Sequence, residues 1–271
     1  RKAAAKAIDD GLTRYVPGKG TPALQQAIIK KFKIDNNIDY SNDEIIVGVG
    51  GKHILYNAMM ATLNPGDEVI IPAPFWVSYP DIVLLAEGKP IIVPCDEKQG
   101  FKITPIQLEK NITLKTKWVM LNSPSNPTGA VYSKKELLEL GEVLIKYPHV
   151  NILTDDIYEK IIYDNNVFYT LASIVPELKN RVLTLNGVSK AYCMTGWRLG
   201  YCGGPKEIIA AMNKIQSQSN TSTSSISMAA SVEALEGNQD FIELHNLEFK
   251  KRRNMVVEKL NSIDGITCES P

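Results

Sequence analysis

The sequence has few of the residues that cross-link small domains or bind structural metals. It contains four cysteines and three histidines among 271 residues, and no Cys-x-x-Cys motif. This scatter argues against a disulfide framework and against a structural zinc site. We therefore expect a fold that depends on an apolar core and a protein that carries no metal.

An excess of charge of one sign is also lacking, since 30 Lys and Arg residues balance 30 Asp and Glu residues. No overall charge therefore attracts nucleic acid or an anionic membrane surface. Apolar runs stop well short of the roughly 20 residues that a membrane span needs, and the N-terminus lacks the apolar core of a secretory signal. These absences predict a soluble, cytoplasmic protein that binds neither nucleic acid nor membrane.

Short apolar runs alternate with longer amphipathic stretches along most of the chain. Strands are expected at residues 44–49, 68–71, 91–93, 118–121, 150–153 and 182–185, and helices at 52–63, 76–86 and 134–146. This alternation predicts βαβ units. Because the runs are continuously apolar, they suit strands buried on both faces of a parallel sheet. The predicted fold class is α/β.

The pattern changes near Ser224, where apolar residues recur at helical spacing as far as Leu260. We interpret this stretch as one long helix that leaves the sheet domain. Residues 1–225 would then form a large domain, and residues 226–271 would begin a smaller C-terminal α/β domain. Residues 265–268 are typical of a starting strand, so the chain is expected to be truncated at both ends. The polar run at 217–227 is interpreted as a turn.

Ligands of open α/β sheets lie beyond the carboxyl ends of the strands, so the residues that follow each apolar run are the most informative. The first predicted strand runs into Gly50, Gly51 and Lys52 at the start of a helix, where backbone N–H groups can approach a phosphate. His53 replaces the third glycine of the dinucleotide fingerprint, and the Walker A pattern also fails. A simple tight turn is the alternative interpretation.

Four further side chains follow predicted strands. Asp155 could pair with a cationic ligand group or be a solvated turn acid. Lys190 lies in a loop of small residues, where desolvation would favour a nucleophilic amine. Arg198 offers a planar fork suited to phosphate, although a structural ion pair is the ordinary explanation. Asn126 lies in a proline-rich turn that would present its amide at a strand end.

Together these places resemble the class I aminotransferases of fold type I, especially the bacterial-type aspartate aminotransferase subgroup. The most specific segment is Ser189-Lys190-Ala191-Tyr192-Cys193-Met194-Thr195-Gly196-Trp197-Arg198-Leu199-Gly200-Tyr201. Supporting segments are Asn126-Pro127-Thr128-Gly129, Asp155-Asp156-Ile157-Tyr158-Glu159 and residues 15–22. The resemblance spans nearly the whole chain and implies a mostly parallel central sheet covered by helices, with pyridoxal 5′-phosphate as cofactor.

The resemblance also implies a role for each residue at the cofactor ring. Lys190 holds the cofactor as a Schiff base and later carries a proton between the substrate Cα and the cofactor's C4′. Asp155 pairs with the pyridinium nitrogen. Tyr158 and Asn126 donate hydrogen bonds to the phenolic oxygen, and Trp76 stacks on the ring.

The phosphate is expected among backbone and side-chain groups of Gly50, Gly51, Lys52, Ser189 and Arg198. Gly187 stands where many relatives have a phosphate-binding hydroxyl, which Ser189 would partly replace. Tyr15 would reach the phosphate from a second subunit, so the resemblance implies a homodimer with a shared active site.

The small-molecule substrates implied are an amino acid and a 2-oxo acid, which would contact Lys52, Trp76 and Asn126. A lysine at the position of Lys52 is associated with the distal carboxylate of dicarboxylic substrates, so aspartate with 2-oxoglutarate is the first choice and prephenate the second. The family's α-carboxylate arginine lies in the C-terminal small domain, outside this sequence.

Three other functions remain open at this point. One is a regulator that senses the cofactor and binds DNA through a fused winged helix, although no basic recognition helix precedes Tyr15. Another is a lyase or decarboxylase that uses the same Lys190 and Asp155. The third is a fragment that binds the cofactor without turnover.

Overall fold

A computed structural model describes residues 1–271 and contains one seven-stranded sheet. The strands are β1 (Ile45–Gly48), β2 (Glu68–Ala73), β3 (Lys89–Pro94), β4 (Thr116–Asn122), β5 (Asn151–Asp155), β6 (Val182–Gly187) and β7 (Gly200–Gly203). Their order across the sheet is β1-β7-β6-β5-β4-β2-β3. Only β7 runs against the others, because it pairs antiparallel with both β1 and β6.

Ten α-helices accompany the sheet. They are α1 (Lys2–Asp9), α2 (Pro22–Asn36), α3 (Gly51–Thr62), α4 (Ser78–Leu85), α5 (Pro105–Asn111), α6 (Lys134–Ile145), α7 (Leu171–Ile174), α8 (Lys206–Ser219), α9 (Ser225–Glu236) and α10 (Asp240–Asn261). No helix combines the length and the apolar character that crossing a membrane requires. The α/β prediction is confirmed, and each strand and helix predicted before residue 224 is present, although most of their ends are shifted.

Two apolar cores lie on opposite faces of the sheet, because successive strand residues point to opposite sides. Val119 and Ile152 belong to the core under α2, α6 and α9, whereas Met120 and Leu153 belong to the core under α3, α4 and α8. Both faces of the central strands are therefore buried, as the continuous apolar runs predicted. The helices on each face hold the carboxyl ends of the parallel strands along one edge.

Local sequence sets where the helices begin. Thr21 caps α2 by accepting a hydrogen bond from the Leu24 N–H, with Pro22 at the first helical position. Ser133 and Glu136 form a capping box at the start of α6. These caps satisfy N–H groups that the helix itself leaves without partners.

The C-terminal third differs from the sequence prediction in three ways. The prediction of a single long helix is wrong, because α9 ends just before Gly237 and α10 starts at Asp240. Glycine frequently terminates helices. No strand forms at residues 265–268, which have no neighbour in the sheet. The run at 217–227 is a turn only at its centre, because α8 and α9 contain its ends.

Helix α9 packs against α1 and α2. Met228 and Leu235 of this helix lie in the same core as the sheet residues, and so does Ile242 of α10. Beyond Ile242, α10 has no further buried residue. The division into domains at residue 226 remains a prediction.

Candidate active site

A cleft of about 260 Å³ opens where the parallel strands end. This volume is close to the lower end of the range of small-molecule sites, which begins at roughly 300 Å³. Most of the predicted site residues line it, namely Gly51, Lys52, Trp76, Asn126, Asp155, Tyr158, Ser189, Lys190 and Arg198. The rule that ligands lie beyond the carboxyl ends of the strands therefore located the site correctly.

The antiparallel strand β7 explains how Arg198 reaches this edge. Because β7 runs in the opposite direction, its N-terminal end, just after Arg198, meets the carboxyl ends of β1 and β6. Gly50 precedes α3 with a φ of 81°, and a Cβ at this position would overlap the Nη2 of Arg198. Glycine is thus required where the guanidinium lies against the helix start.

His53, which broke the dinucleotide fingerprint, has a structural task in this turn. Its Nδ1 accepts a hydrogen bond from the Val49 N–H at 3.2 Å. Burial lowers the pKa of the His53 imidazole, so the ring is neutral near pH 7 and keeps its acceptor. The backbone turn that leads into α3 is fixed by this bond.

Asp155, the last residue of β5, is a buried carboxylate with hydrogen bonds to both oxygens. The Tyr79 hydroxyl donates to Oδ2 at 2.8 Å, and the Ile157 N–H donates to Oδ1 at 3.3 Å. Burial raises the pKa of the Asp155 carboxyl to about 6, although the bonds from Tyr79 and Ile157 and the nearby Lys190 cation lower it. The carboxylate is therefore costly to maintain and strongly favours a cationic ligand group.

Asn122 and Asn126 form a small amide network beside Asp155. The Asn122 side chain donates to the Asp155 carbonyl oxygen at 2.7 Å and accepts from the Asn126 N–H at 2.7 Å. The network joins the end of β4 to the end of β5. It fixes the backbone that presents the Asn126 amide to the cleft.

Lys190 and Tyr158 meet on another wall. The Nζ of Lys190 lies 5.3 Å from the centre of the Tyr158 ring. Tyr158 belongs to the turn that follows Asp155, and Lys190 belongs to the loop that follows β6. A primary amine, a phenol and a carboxylate thus come together from two neighbouring strands.

Trp76 provides the aromatic wall of the cleft. The Nζ of Lys52 lies 4.9 Å from the centre of the Trp76 ring, and Trp76 packs edge-on against Tyr79 with 5.5 Å between ring centres. The cation–π contact holds the ammonium of Lys52 at the cleft. Tyr79 in turn links this wall to Asp155.

The cleft contains more cations than acids. Lys52, Lys190 and Arg198 line it, whereas Asp155 is its one carboxylate. None of the three cations forms a side-chain ion pair. Unpaired cations around one cavity attract a ligand with several negative charges.

Tyr15 is the predicted residue that lies apart from the cleft. Its side chain is 92% exposed, and it lines a separate surface groove formed with residues 222–226. Sequence reasoning missed Tyr79 and Thr195, and it assigned no role to Asn122, although all three line the cleft. A signal for Tyr79 existed, because it follows Trp76 by three residues at the start of α4 and so lies on the same side of the turn.

The sequence matches the family described as "Aminotransferase class I and II" over residues 1–271. The chain belongs to this family. An aspartate aminotransferase of Rhizobium meliloti (strain 1021) is 55% identical over 271 residues, which are 100% of this chain and 66% of the relative. A probable aspartate/prephenate aminotransferase of Rickettsia bellii (strain RML369-C) is also 55% identical, over 100% of this chain and 68% of the relative.

Solved structures of aminotransferases share the fold. The aspartate aminotransferase of Rhizobium meliloti matches with a TM-score of 0.99 at 55% identity, covering 100% of this chain and 68% of that one. The Thermus thermophilus enzyme with maleate matches with a TM-score of 0.93 at 39% identity, covering 96% and 68%. This aminotransferase chain therefore has the fold of the fold type I transferases and spans about two thirds of the length of its relatives.

Proposed function

We propose that the protein transfers the amino group of aspartate to 2-oxoglutarate with pyridoxal phosphate as cofactor. The observation that carries the proposal is the joint presence of the Lys190 amine, the buried Asp155 carboxylate and the unpaired Arg198 guanidinium around one cleft. The relatives named aspartate aminotransferase support the same activity. The whole protein's reaction is inferred from this two-thirds portion.

The donor set in the cleft fits pyridoxal phosphate group by group. Asp155 is buried and has a raised pKa, so a ring N–H cation would relieve the cost of its charge. The start of α3 at Gly51 and the free guanidinium of Arg198 suit a phosphate. Lys190 supplies the amine that would hold the cofactor covalently, beside the phenol of Tyr158.

When bound, the cofactor withdraws electrons from the substrate Cα and carries the amino group between the two substrates. Lys190 is the general base in this proposal: its amine takes the proton from the substrate Cα and returns a proton during the second half of the reaction. Asp155 keeps its charge opposite the ring nitrogen. Tyr158 and Asn126 are proposed to donate hydrogen bonds to an anionic oxygen of the cofactor.

The cation excess of the cleft supports a dicarboxylic substrate. Arg198, Ser189 and the start of α3 are proposed to hold the phosphate. Lys52, held by Trp76, is then available for a second anionic group such as the distal carboxylate of aspartate. Relatives named aspartate/prephenate aminotransferase make prephenate, also a dicarboxylate, the second candidate substrate.

A homodimer with a shared active site is part of the proposal. Tyr15 is exposed and lines a groove distinct from the cleft of its own chain, which supports a role for its hydroxyl in the cleft of a second copy. Mixing Tyr15→Phe and Lys190→Ala chains tests this, since hybrid dimers would regain one intact site. A cytoplasmic location remains a prediction.

The reaction is tested by visible absorbance of the purified chain with pyridoxal phosphate, before and after aspartate is added. We expect a band that moves with pH and converts to the amine form of the cofactor with aspartate. Lys190→Ala should lose this band. Lys179→Ala is the matched control, because Lys179 is partly buried and pairs with Glu44 away from the cleft.

Two outcomes would contradict the proposal in different ways. If the same band forms in Lys190→Ala, Lys190 does not hold the cofactor. If the band depends on Lys190 but no amino acid converts it, the chain binds cofactor without turnover. A pure lyase or decarboxylase would instead release its products without producing the amine form of the cofactor.

A further inference from the structure

Tyr79 is a buried residue beside the cleft that the proposed reaction does not use directly. Its side chain is 3% exposed. The Tyr79 hydroxyl donates a hydrogen bond to Asp155 Oδ2 at 2.8 Å and has no other side-chain partner. The ring is held edge-on by Trp76. The first turn of α4 therefore presents a fixed hydrogen-bond donor to the one acid of the cleft.

We propose that Tyr79 is a positioning residue that keeps Asp155 ionised and holds its carboxylate in one orientation. The proposal rests on the contact itself, and only its cofactor readout rests on the proposed function.

The electrostatic argument begins with the groups that face Asp155. Lys190 is the nearby cation and favours the ionised form, whereas Asp156 is a second buried acid and Tyr158 a neighbouring phenol. The Tyr79 hydroxyl is the one side-chain group that donates a hydrogen bond to this carboxylate, so its bond contributes directly to stabilising the ionised form.

Tyr79 is suited to remain a donor across the working pH range. Burial and the neighbouring Asp155 raise the pKa of the Tyr79 phenol well above its usual value, so the hydroxyl keeps its proton. The hydrogen bond from the Tyr79 hydroxyl to Oδ2 lowers the pKa of the Asp155 carboxyl, whereas burial raises it. Orientation is fixed as well, because Tyr79 holds Oδ2 while the Ile157 N–H holds Oδ1.

The test is a titration of the Asp155 carboxyl by carbon-13 NMR in the cofactor-free full chain, assigned with Asp155→Asn. Tyr79→Phe removes only the hydroxyl, and we expect it to raise the Asp155 pKa by about one to two pH units. Tyr40→Phe is the matched control, because Tyr40 is also buried and its hydroxyl contacts only Thr184, at 3.1 Å. An unchanged Asp155 midpoint in folded Tyr79→Phe would overturn the proposal.

A double-mutant cycle on pyridoxal phosphate affinity provides the second readout. Tyr79→Phe should weaken binding by about two- to tenfold at pH 7, because a protonated Asp155 no longer pairs with a cation. In the Asp155→Asn background the same change should have little effect. Equal losses of affinity in both backgrounds would show a merely structural role for Tyr79 and overturn the proposal. If the unaltered chain does not bind the cofactor, the proposed function is refuted, and the titration of Asp155 then decides the role of Tyr79.

Discussion

Asp155→Asn should stabilise the cofactor-free chain while it weakens cofactor binding. Burial raises the pKa of the folded-state carboxyl from 3.8 to about 6. Between these values the folded chain binds more protons than the unfolded chain, so the free energy of unfolding falls as pH rises from 4 to 6. The stability present at low pH is lost as pH passes the folded-state pKa, and the loss is complete at pH 7.

The magnitude follows from this shift. A rise of about two pH units corresponds to about 3 kcal/mol, at roughly 1.4 kcal/mol for each unit. Asparagine is uncharged and keeps one oxygen, which can accept from the Tyr79 hydroxyl or from the Ile157 N–H. Its NH₂ group replaces the other acceptor and requires a new partner at some cost. We therefore expect a gain of about 1–3 kcal/mol in the free energy of unfolding at pH 7.

Urea denaturation of both chains at pH values between 4 and 8 measures this difference directly. The advantage of Asp155→Asn should be large at pH 7 and should shrink toward pH 4, where the native carboxyl is protonated. A variant less stable than the parent at pH 7, or a difference independent of pH, would refute the reasoning. The expected loss of cofactor affinity would make Asp155 a residue that is retained for function at the expense of stability.

Two further substitutions test the surroundings of the cleft. Gly50→Ala places a Cβ at a φ of 81° and against Arg198, so we expect a loss of about 1–3 kcal/mol in stability and weaker binding of phosphate in equilibrium dialysis; an unchanged phosphate affinity would contradict the proposed cradle. Lys31→Met leaves Glu159 buried without its ion-pair partner, although Asn36 still donates to it at 2.7 Å. Denaturation should show a loss of about 3–5 kcal/mol, and a neutral result would refute the importance of this pair.

The sequence predicted which residues lie at the carboxyl ends of the strands, because these site residues come at or soon after the ends of buried apolar runs. Asp155 and Lys190 could be placed at the carboxyl edge from the apolar runs before them. The planar fork of Arg198 made it a phosphate candidate, but only the family resemblance placed it at this edge, because β7 is four residues long and offers almost no periodic pattern. Its antiparallel direction, which brings Arg198 to the site, depends on pairing with β1 and β6.

Longer-range packing limited the other predictions. The helical spacing from Ser224 onward continues across Gly237, so periodicity alone did not separate α9 from α10. Packing of α9 against α1 depends on residues more than 200 positions apart in sequence, which no local pattern reports. The bond between Tyr79 and Asp155 likewise joins two elements whose proximity only the sheet order determines.

The central claim is that Lys190 is the residue that holds the cofactor. The most direct measurement is borohydride reduction of the full chain with stoichiometric pyridoxal phosphate, followed by proteolysis and mass spectrometry of the labelled peptide. The account predicts that the label lies on Lys190 and is lost in Lys190→Ala. A label on another lysine of the parent chain, such as Lys52, with Lys190 unmodified would contradict it.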